Sequence, residues 1–266
     1  MEHVKRIASA LVLLPPLVFF LLHASPVFFL ILVLMVIGLS LREYFHILQH
    51  VPLSVCTYVT WLAALALPIM AHLGDARWLS ITLFLSIMAL TISVILTASR
   101  AAHFFPMLVY SVFGVLCISW TLSHLILLRL LPAGPWYVLF LCAVVWIGDT
   151  TAMYVGKSLG HHKMAPAISP GKTWEGLIGG VATTTALSCA LAPWLTPLSL
   201  THSFVIGLLL GVAGFVGDIT ISGIKRDLGI KDSGTMLPGH GGILDRLDSL
   251  TYTAPLFFHY LRYFYY

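Results

Sequence analysis

The chain has 266 residues, 59% of them hydrophobic and only 9% charged, with a mean hydropathy of +0.97. A soluble domain carries about 25% charged residues, so a water-facing fold is excluded, and so is disorder, which needs the opposite composition. The net charge of +4 is small and scattered, which argues for no nucleic acid partner.

The solvent is therefore a bilayer, which a helix of about 20 apolar residues can cross. Nine stretches qualify: 7–22, 26–46, 54–73, 78–97, 106–131, 136–157, 174–194, 202–225 and 249–264. The expected fold is all-α: a polytopic, multi-pass integral membrane protein of about nine transmembrane helices. The first stretch has the charge and length of a signal peptide, but eight more spans follow, so it reads as a retained helix that Pro15-Pro16 kinks. The 104–131 stretch is too long for one upright helix and predicts an interfacial turn near Pro106 or Gly114. The last span is rich in Tyr and Phe, as interface anchors are. Cys56, Cys117, Cys142 and Cys189 lie far apart in apolar runs, with neither disulfide nor zinc spacing.

Orientation follows from the basic residues. With the N-terminus inside, cytoplasmic segments hold Lys5, Arg6, Arg42, Arg100, Lys157, Lys163, Lys172, Lys225, Arg226, Lys231 and Arg246, against Arg77, Arg129 and Arg262 opposite. That asymmetry predicts N-in, C-out.

The two halves differ. Residues 1–147 hold 4 glycines and 3 acids, and residues 148–266 hold 17 and 7, with no polar linker between them. One transmembrane domain is expected, its first half a scaffold and its second half carrying the site, because intramembrane acids mark function by default. Asp149 sits inside the sixth span, as a site carboxylate or as a structural hydrogen-bonding group. Gly171-Lys172-Thr173 matches the end of a P-loop, but Pro166 stands where that motif needs its first glycine and no strand precedes it. What remains is a turn started by Ser169-Pro170, and Lys172 presented at a helix N-terminus, where anions are favoured. His161-His162 reads as a metal pair or, more simply, as polar interface residues.

Span eight carries Gly207, Gly211, Gly214 and Asp218 on one face, followed by Ser222 and Lys225. Small residues let helices approach closely, so this stripe reads as a mount for a site or as a packing or homodimer seam. The densest segment is 222–248, with four basic residues, four acids and six glycines in a chain that spends little charge elsewhere. Gly241-Gly242 offers free N–H groups to an anion. Asp245 and Asp248 share a helix face and suit a hard, oxygen-seeking cation such as Mg²⁺. Lys225, Arg226, Lys231 and Arg246 supply countercharge for polyphosphate. The chemistry suggested is phosphoryl or nucleotidyl transfer on the cytoplasmic side.

Ser222 to Asp248 resembles the signature of the phosphatidate cytidylyltransferases, also called CDP-diacylglycerol synthases: S-x-x-K-R-x₄-K-D-x-G-x₃-P-G-H-G-G-x-x-D-R-x-D, met here at every fixed position. Ser169 to Gly176 is similar to the family's second motif, with Gly171 where members often have Lys. The motifs cover about 145–253, and the first half matches only in its apolar, multi-span character. The resemblance implies a transferase of phospholipid biosynthesis that joins CTP and phosphatidate, a membrane lipid, to give CDP-diacylglycerol and pyrophosphate. It implies Mg²⁺ and a second cation, K⁺, as cofactors, and the bacterial inner membrane as the location. It places metal-binding carboxylates at Asp218 and Asp245, and essential polar positions at Ser222, Lys225, Arg226, Asp232, His240, Arg246 and Asp248.

A CDP-alcohol phosphotransferase needs D-G-x₂-A-R-x₈-G-x₃-D-x₃-D, which this chain lacks. A CTP-dependent lipid or polyprenol kinase needs similar groups without the full signature. An ion-coupled transporter fits glycine-broken helices with buried acids, but its halves repeat, whereas these differ. The topology is testable: a C-terminal reporter active only outside the cytoplasm should be active, and one active only in the cytoplasm should be silent. The reverse pattern would overturn N-in, C-out.

Overall fold

In a computed structural model of the chain, the described residues are 15–48, 54–98, 100–230, 233–234 and 242–266. Almost all are helical. A short helix α1 (15–23) leads into α2 (Pro26–Ile47), α3 (Ser54–Leu73) and α4 (Ala76–Thr97). A continuous rod follows, made of α5 (Ala101–Phe113), a π-helical stretch Gly114–Trp120 and α6 (Thr121–Arg129). Then come α7 (Gly134–Ser158), two strands, α8 (Trp174–Leu195), α9 (Leu200–Asp227) and α10 (Leu244–Tyr260), which ends in a π turn, Leu261–Tyr265.

Seven helices among the described residues are long and apolar enough to span a membrane: Pro26–Ile47, Cys56–Leu73, Ala76–Thr97, Ala101–Arg129, Gly134–Ser158, Trp174–Leu195 and Leu200–Asp227. They coincide with seven of the nine expected spans. Of the first expected span, residues 7–14 fall outside the described residues and 15–22 lie in α1. The last coincides with α10, which has 17 residues and carries Asp245, Arg246 and Asp248 in its first turns.

Two expectations are corrected. The 101–129 rod contains no turn at Pro106 or Gly114; it passes both as helix, widening to π geometry from Gly114. The Tyr44 ring lies against Gly114, where an added Cβ would come within 3.0 Å of it, and the Tyr44 hydroxyl donates to the Tyr110 carbonyl at 2.9 Å. The all-α reading also missed an antiparallel hairpin, β1 (Lys163–Ala165) and β2 (Ser169–Thr173), in which Lys163 pairs with Thr173 and Ala165 with Ser169. Its turn precedes Ser169-Pro170 and is closed by Ile168 N–H on the Ala165 carbonyl.

The helices begin where local chemistry says they should. Ser25, Asp75, Thr173 and Ser199 each accept a backbone N–H from the first turn of α2, α4, α8 and α9. The surface is apolar, with Phe28, Ile31, Phe84, Leu96 and Phe204 exposed, as a lipid-facing surface should be. Hydroxyls turn inward: Ser119 donates to the Ala64 carbonyl and Ser188 to the Ser203 carbonyl, tying α3 to the rod and α8 to α9. Arg129 is 7% exposed, donates to the Leu21 and Ala24 carbonyls at the end of α1, and lies over the Phe29 ring.

The glycines of the second half bring α7, α8, α9 and α10 into close contact. Gly207 meets the α8 backbone at Thr185 and Gly211 meets it at Val181, where a Cβ would stand 2.6 Å and 2.9 Å from a Cα. Gly214 faces Thr253 and Ser249 of α10, and Gly217 lies under the Asp248 carbonyl. The stripe is therefore a packing seam within one chain whose last residues open onto the carboxylates. Gly207→Val should destabilise the protein by about 1–3 kcal/mol, because backbone cannot yield as a side chain can. The thermal midpoint in detergent should fall, while Gly171→Ala, at a position with open space around it, should not lower it.

Candidate active site

Three carboxylates gather where α7, α9 and α10 meet, and a fourth, Asp245, is paired with Lys225. α7 supplies Asp149, which accepts a 2.5 Å hydrogen bond from the Ser249 hydroxyl of α10. α9 supplies Asp218, and the first two turns of α10 supply Asp245 and Asp248. The Ser249 hydroxyl lies between Asp149 and Asp248, and Asp149 and Asp218 border one cavity. Asp248 sits over Gly217, whose missing side chain lets α10 come down onto α9.

Two lysines offset part of this charge. Lys172, at the end of β2 and just before the Thr173 cap of α8, places Nζ 2.6 Å from Asp218 Oδ2 and 4.9 Å from the Phe215 ring centroid. Its side chain is 13% exposed. The two therefore form a largely buried ion pair. Beside it lies a cavity of about 220 Å³, bordered by Asp149, Lys157, Lys172, Thr173, Phe215 and Asp218. Ser222 donates to Asp218 Oδ1 at 3.3 Å.

Lys225 makes the second pair, with Nζ 2.6 Å from Asp245 Oδ1; the two side chains are 12% and 10% exposed. The other oxygen of Asp245 accepts the Ser233 and Gly242 N–H groups at 3.0 and 3.3 Å. The α9 face thus divides, Ser222 turning to Asp218 on its own helix while Lys225 reaches across to α10. Arg226 is exposed and donates to the Ile230 carbonyl at 3.1 Å, closing the end of α9. Arg246 lies exposed on the first turn of α10. Lys231, Asp232, His240 and Gly241 lie outside the described residues.

The hard-cation expectation meets a fitting donor set in part. Asp218 is half-buried and borders the cavity together with Asp149, so a cation there would meet two carboxylates. Asp245 has both oxygens engaged, so its service as a ligand requires sharing with Lys225 or with the two N–H groups. Among the described residues no group of three or more His, Cys, Asp or Glu stands in metal-binding array. His162 pairs with Glu175 at 2.6 Å on the surface, in keeping with the plainer reading of His161-His162.

Sequence reasoning missed Glu43. It stands in the scaffold half, on α2, 5% exposed, and accepts hydrogen bonds from the Ser233 hydroxyl and from the Ile243 and Leu244 N–H groups. The signal was available: an acid inside a 22-residue apolar helix meets the same criterion that singled out Asp149.

Comparison with known sequences finds relatives of this chain. The uncharacterized protein YnbB of Escherichia coli is 48% identical over 155 residues, covering 56% of this chain and 52% of that protein. The phosphatidate cytidylyltransferase of Bacillus subtilis is 43% identical over 133 residues, 49% of each chain. That of Rickettsia bellii is 38% identical over 159 residues, 57% of this chain and 68% of its own length. The chain thus spans about half the length of most of these relatives. The match to the cytidylyltransferase family itself runs over residues 4–264, nearly end to end. On that end-to-end match, the chain belongs to the cytidylyltransferase family.

Proposed function

We propose that this protein transfers the CMP group of CTP to phosphatidate, giving CDP-diacylglycerol and pyrophosphate, and that the groups around Asp218 are its active site. The observation that carries this reading is the Lys172–Asp218 pair at the edge of a 220 Å³ cavity, with Asp149 and Lys157 on the same wall. Clustered acids with interleaved lysines suit a polyanion that arrives with a divalent cation. An apolar cavity of about 100 Å³, bordered by Leu21, Phe29, Leu122, Trp146, Leu247 and Leu250, lies beside α10. Leu247 and Leu250 flank Asp248 and Ser249 in sequence, which supports acyl chains lying among the helices while the head group stays at the carboxylates.

The phosphatidate phosphate is already anionic, so no strong general base is needed. One of its oxygens bonds to the α-phosphorus of CTP as the bond from that phosphorus to the bridging oxygen breaks, and pyrophosphate leaves with the electron pair. Catalysis rests on positioning and charge neutralisation. Lys172 and Lys225 carry positive charge to the phosphates, joined by Arg226, Lys231 and Arg246, while Ser222 orients Asp218. Asp218 and Asp245 would hold Mg²⁺, which supplies charge neutralisation on the phosphate oxygens when bound, with K⁺ as the second cation. Asp149 and Asp248 add negative charge at the same junction, and Ser249 holds Asp149. In the same proposal the chain spans the bacterial inner membrane nine times, N-in and C-out, with this site toward the cytoplasm and CTP. Two copies associating as a homodimer are compatible with it.

Radiolabelled CTP supplied with phosphatidate and membranes containing the protein should yield lipid-soluble label, and none would reject the proposal. Asp218→Asn and Asp245→Asn should each nearly abolish turnover at near-constant volume while the protein still inserts. A wild-type rate at limiting Mg²⁺ would remove that carboxylate from the ligand set. Asp149→Asn should lower activity more than folded yield; an unstable variant with full activity per folded molecule would mark Asp149 as structural.

Lys225→Ala should lower kcat/KM for CTP by about 2–4 kcal/mol of transition-state stabilisation. Lys225→Arg should rescue only partly, because a planar fork does not replace a point charge at 2.6 Å from Asp245. Lys5→Ala is the control. Equal, small effects at Lys225 and Lys5 in steady-state kinetics would remove Lys225 from the substrate-binding groups and leave it a structural partner of Asp245.

A further inference from the structure

Glu43 is a buried carboxylate on the half of the chain that carries none of the signature. Its oxygens reach the two described pieces that flank residues 235–241. Oε2 accepts the Ser233 hydroxyl at 3.1 Å and the Leu244 N–H at 3.0 Å, and Oε1 accepts the Ile243 N–H at 3.0 Å. The last two donors are the first N–H groups of α10, which have no partner within the helix. A negative group is favoured there by the helix dipole as well. The fit is close on both sides: a Cβ at Gly234 would stand 2.8 Å from Glu43 Oε1, and one at Gly242 would stand 2.6 Å from Oε2. Glycine is needed at 234 because the Glu43 carboxylate occupies the space, and at 242 because the Ser233 hydroxyl and that carboxylate occupy it together.

The same short pieces hold Asp245. Ser233 gives its N–H to Asp245 and its hydroxyl to Glu43. Gly242 gives its N–H to Asp245, while the next two N–H groups go to Glu43. Asp245 in turn holds Lys225. The direction of the Asp245 carboxylate is therefore set by backbone that Glu43 fixes. We infer that Glu43 is a positioning residue: from the scaffold half it clamps the two pieces that flank residues 235–241, so that Asp245 and Lys225 are held in register with Asp218. This rests on the proposed transferase reaction and on Asp245 as a metal ligand.

Removing the carboxylate would leave a hydroxyl and two N–H groups buried without an acceptor. Glu43→Gln keeps the shape but puts an NH₂ against at least one N–H or O–H donor. Partners that orient a metal ligand matter by about 10–100-fold in metal affinity or activity. With the full-length protein purified in detergent, Glu43→Gln should raise the Mg²⁺ concentration for half-maximal rate and lower kcat, each within about 10–100-fold. In metal-free protein, hydrogen exchange at Ile243 and Leu244 should accelerate at least about tenfold, while α7 and α8 keep their protection.

Asp75 is the structural comparator, a carboxylate that caps α4 by accepting the Arg77 and Trp78 N–H groups. Asp75→Ala should lower the thermal midpoint without moving the Mg²⁺ requirement. The inference is overturned if Glu43→Gln keeps wild-type Mg²⁺ dependence, or loses activity only in proportion to folded protein, or leaves exchange at 243–244 unchanged. Should Glu43→Gln not fold, Ser233→Ala removes one of the three bonds and should shift the Mg²⁺ requirement the same way by about 3–10-fold; no shift overturns the clamp. A wild-type protein that makes no lipid product rejects the transferase reading instead, and the exchange result then decides the clamp alone.

Discussion

A carboxylate can sit inside an apolar helix bundle only if a positive charge or a set of N–H and O–H donors meets it there. Much of the second half of this protein is arranged around that requirement. Asp218 has Lys172 and Ser222, Asp245 has Lys225 and two backbone N–H groups, Asp149 has Ser249, and Glu43 has three donors around the start of α10. Close helix approach makes these meetings geometrically possible. Gly217 brings the α10 backbone onto α9, and Gly148 lets Thr184 of α8 approach α7 beside Asp149. Packing and chemistry are here one requirement, since a side chain at Gly217 would push the Asp248 end of α10 off α9.

Asp149, Asp218, Lys157 and Lys172 border one cavity, and the Ser249 hydroxyl lies between Asp149 and Asp248. A bundle that needed only stability would do better with apolar residues of the same volume. Two acids and two lysines on one cavity are the groups that the proposed reaction would use.

Much of this was legible in the sequence because helical periodicity and hydropathy are local signals. Seven apolar runs became seven long helices, Lys172 stands just before a helix start, and Ser222 faces Asp218 one turn away. What periodicity cannot report is which face of one helix meets which face of another. The Lys225–Asp245 pair joins residues 20 apart, and the face shared by Asp218 and Lys225 gave no hint that Lys225 would turn to α10. Glu43 was hidden for the same reason: its partners lie 190 to 201 residues away. The β-hairpin escaped because its strands have three and five residues, too few for alternation, and one contains Pro170. The π stretch after Gly114 depends on a ring from α2 that nothing in the local sequence announces.

Arg129 carries a consequence for biogenesis. Its guanidinium grips carbonyls at the end of α1, 105 and 108 residues earlier in the chain. Membrane helices enter the bilayer in order as the ribosome delivers them, so α1 leaves the exit tunnel long before its fastener has been synthesised. Until residue 129 emerges, the Leu21 and Ala24 carbonyls must rely on water or lipid head groups. The first helix therefore enters as an unlatched segment and gains its resting place only when the rod formed by α5 and α6 arrives beside it.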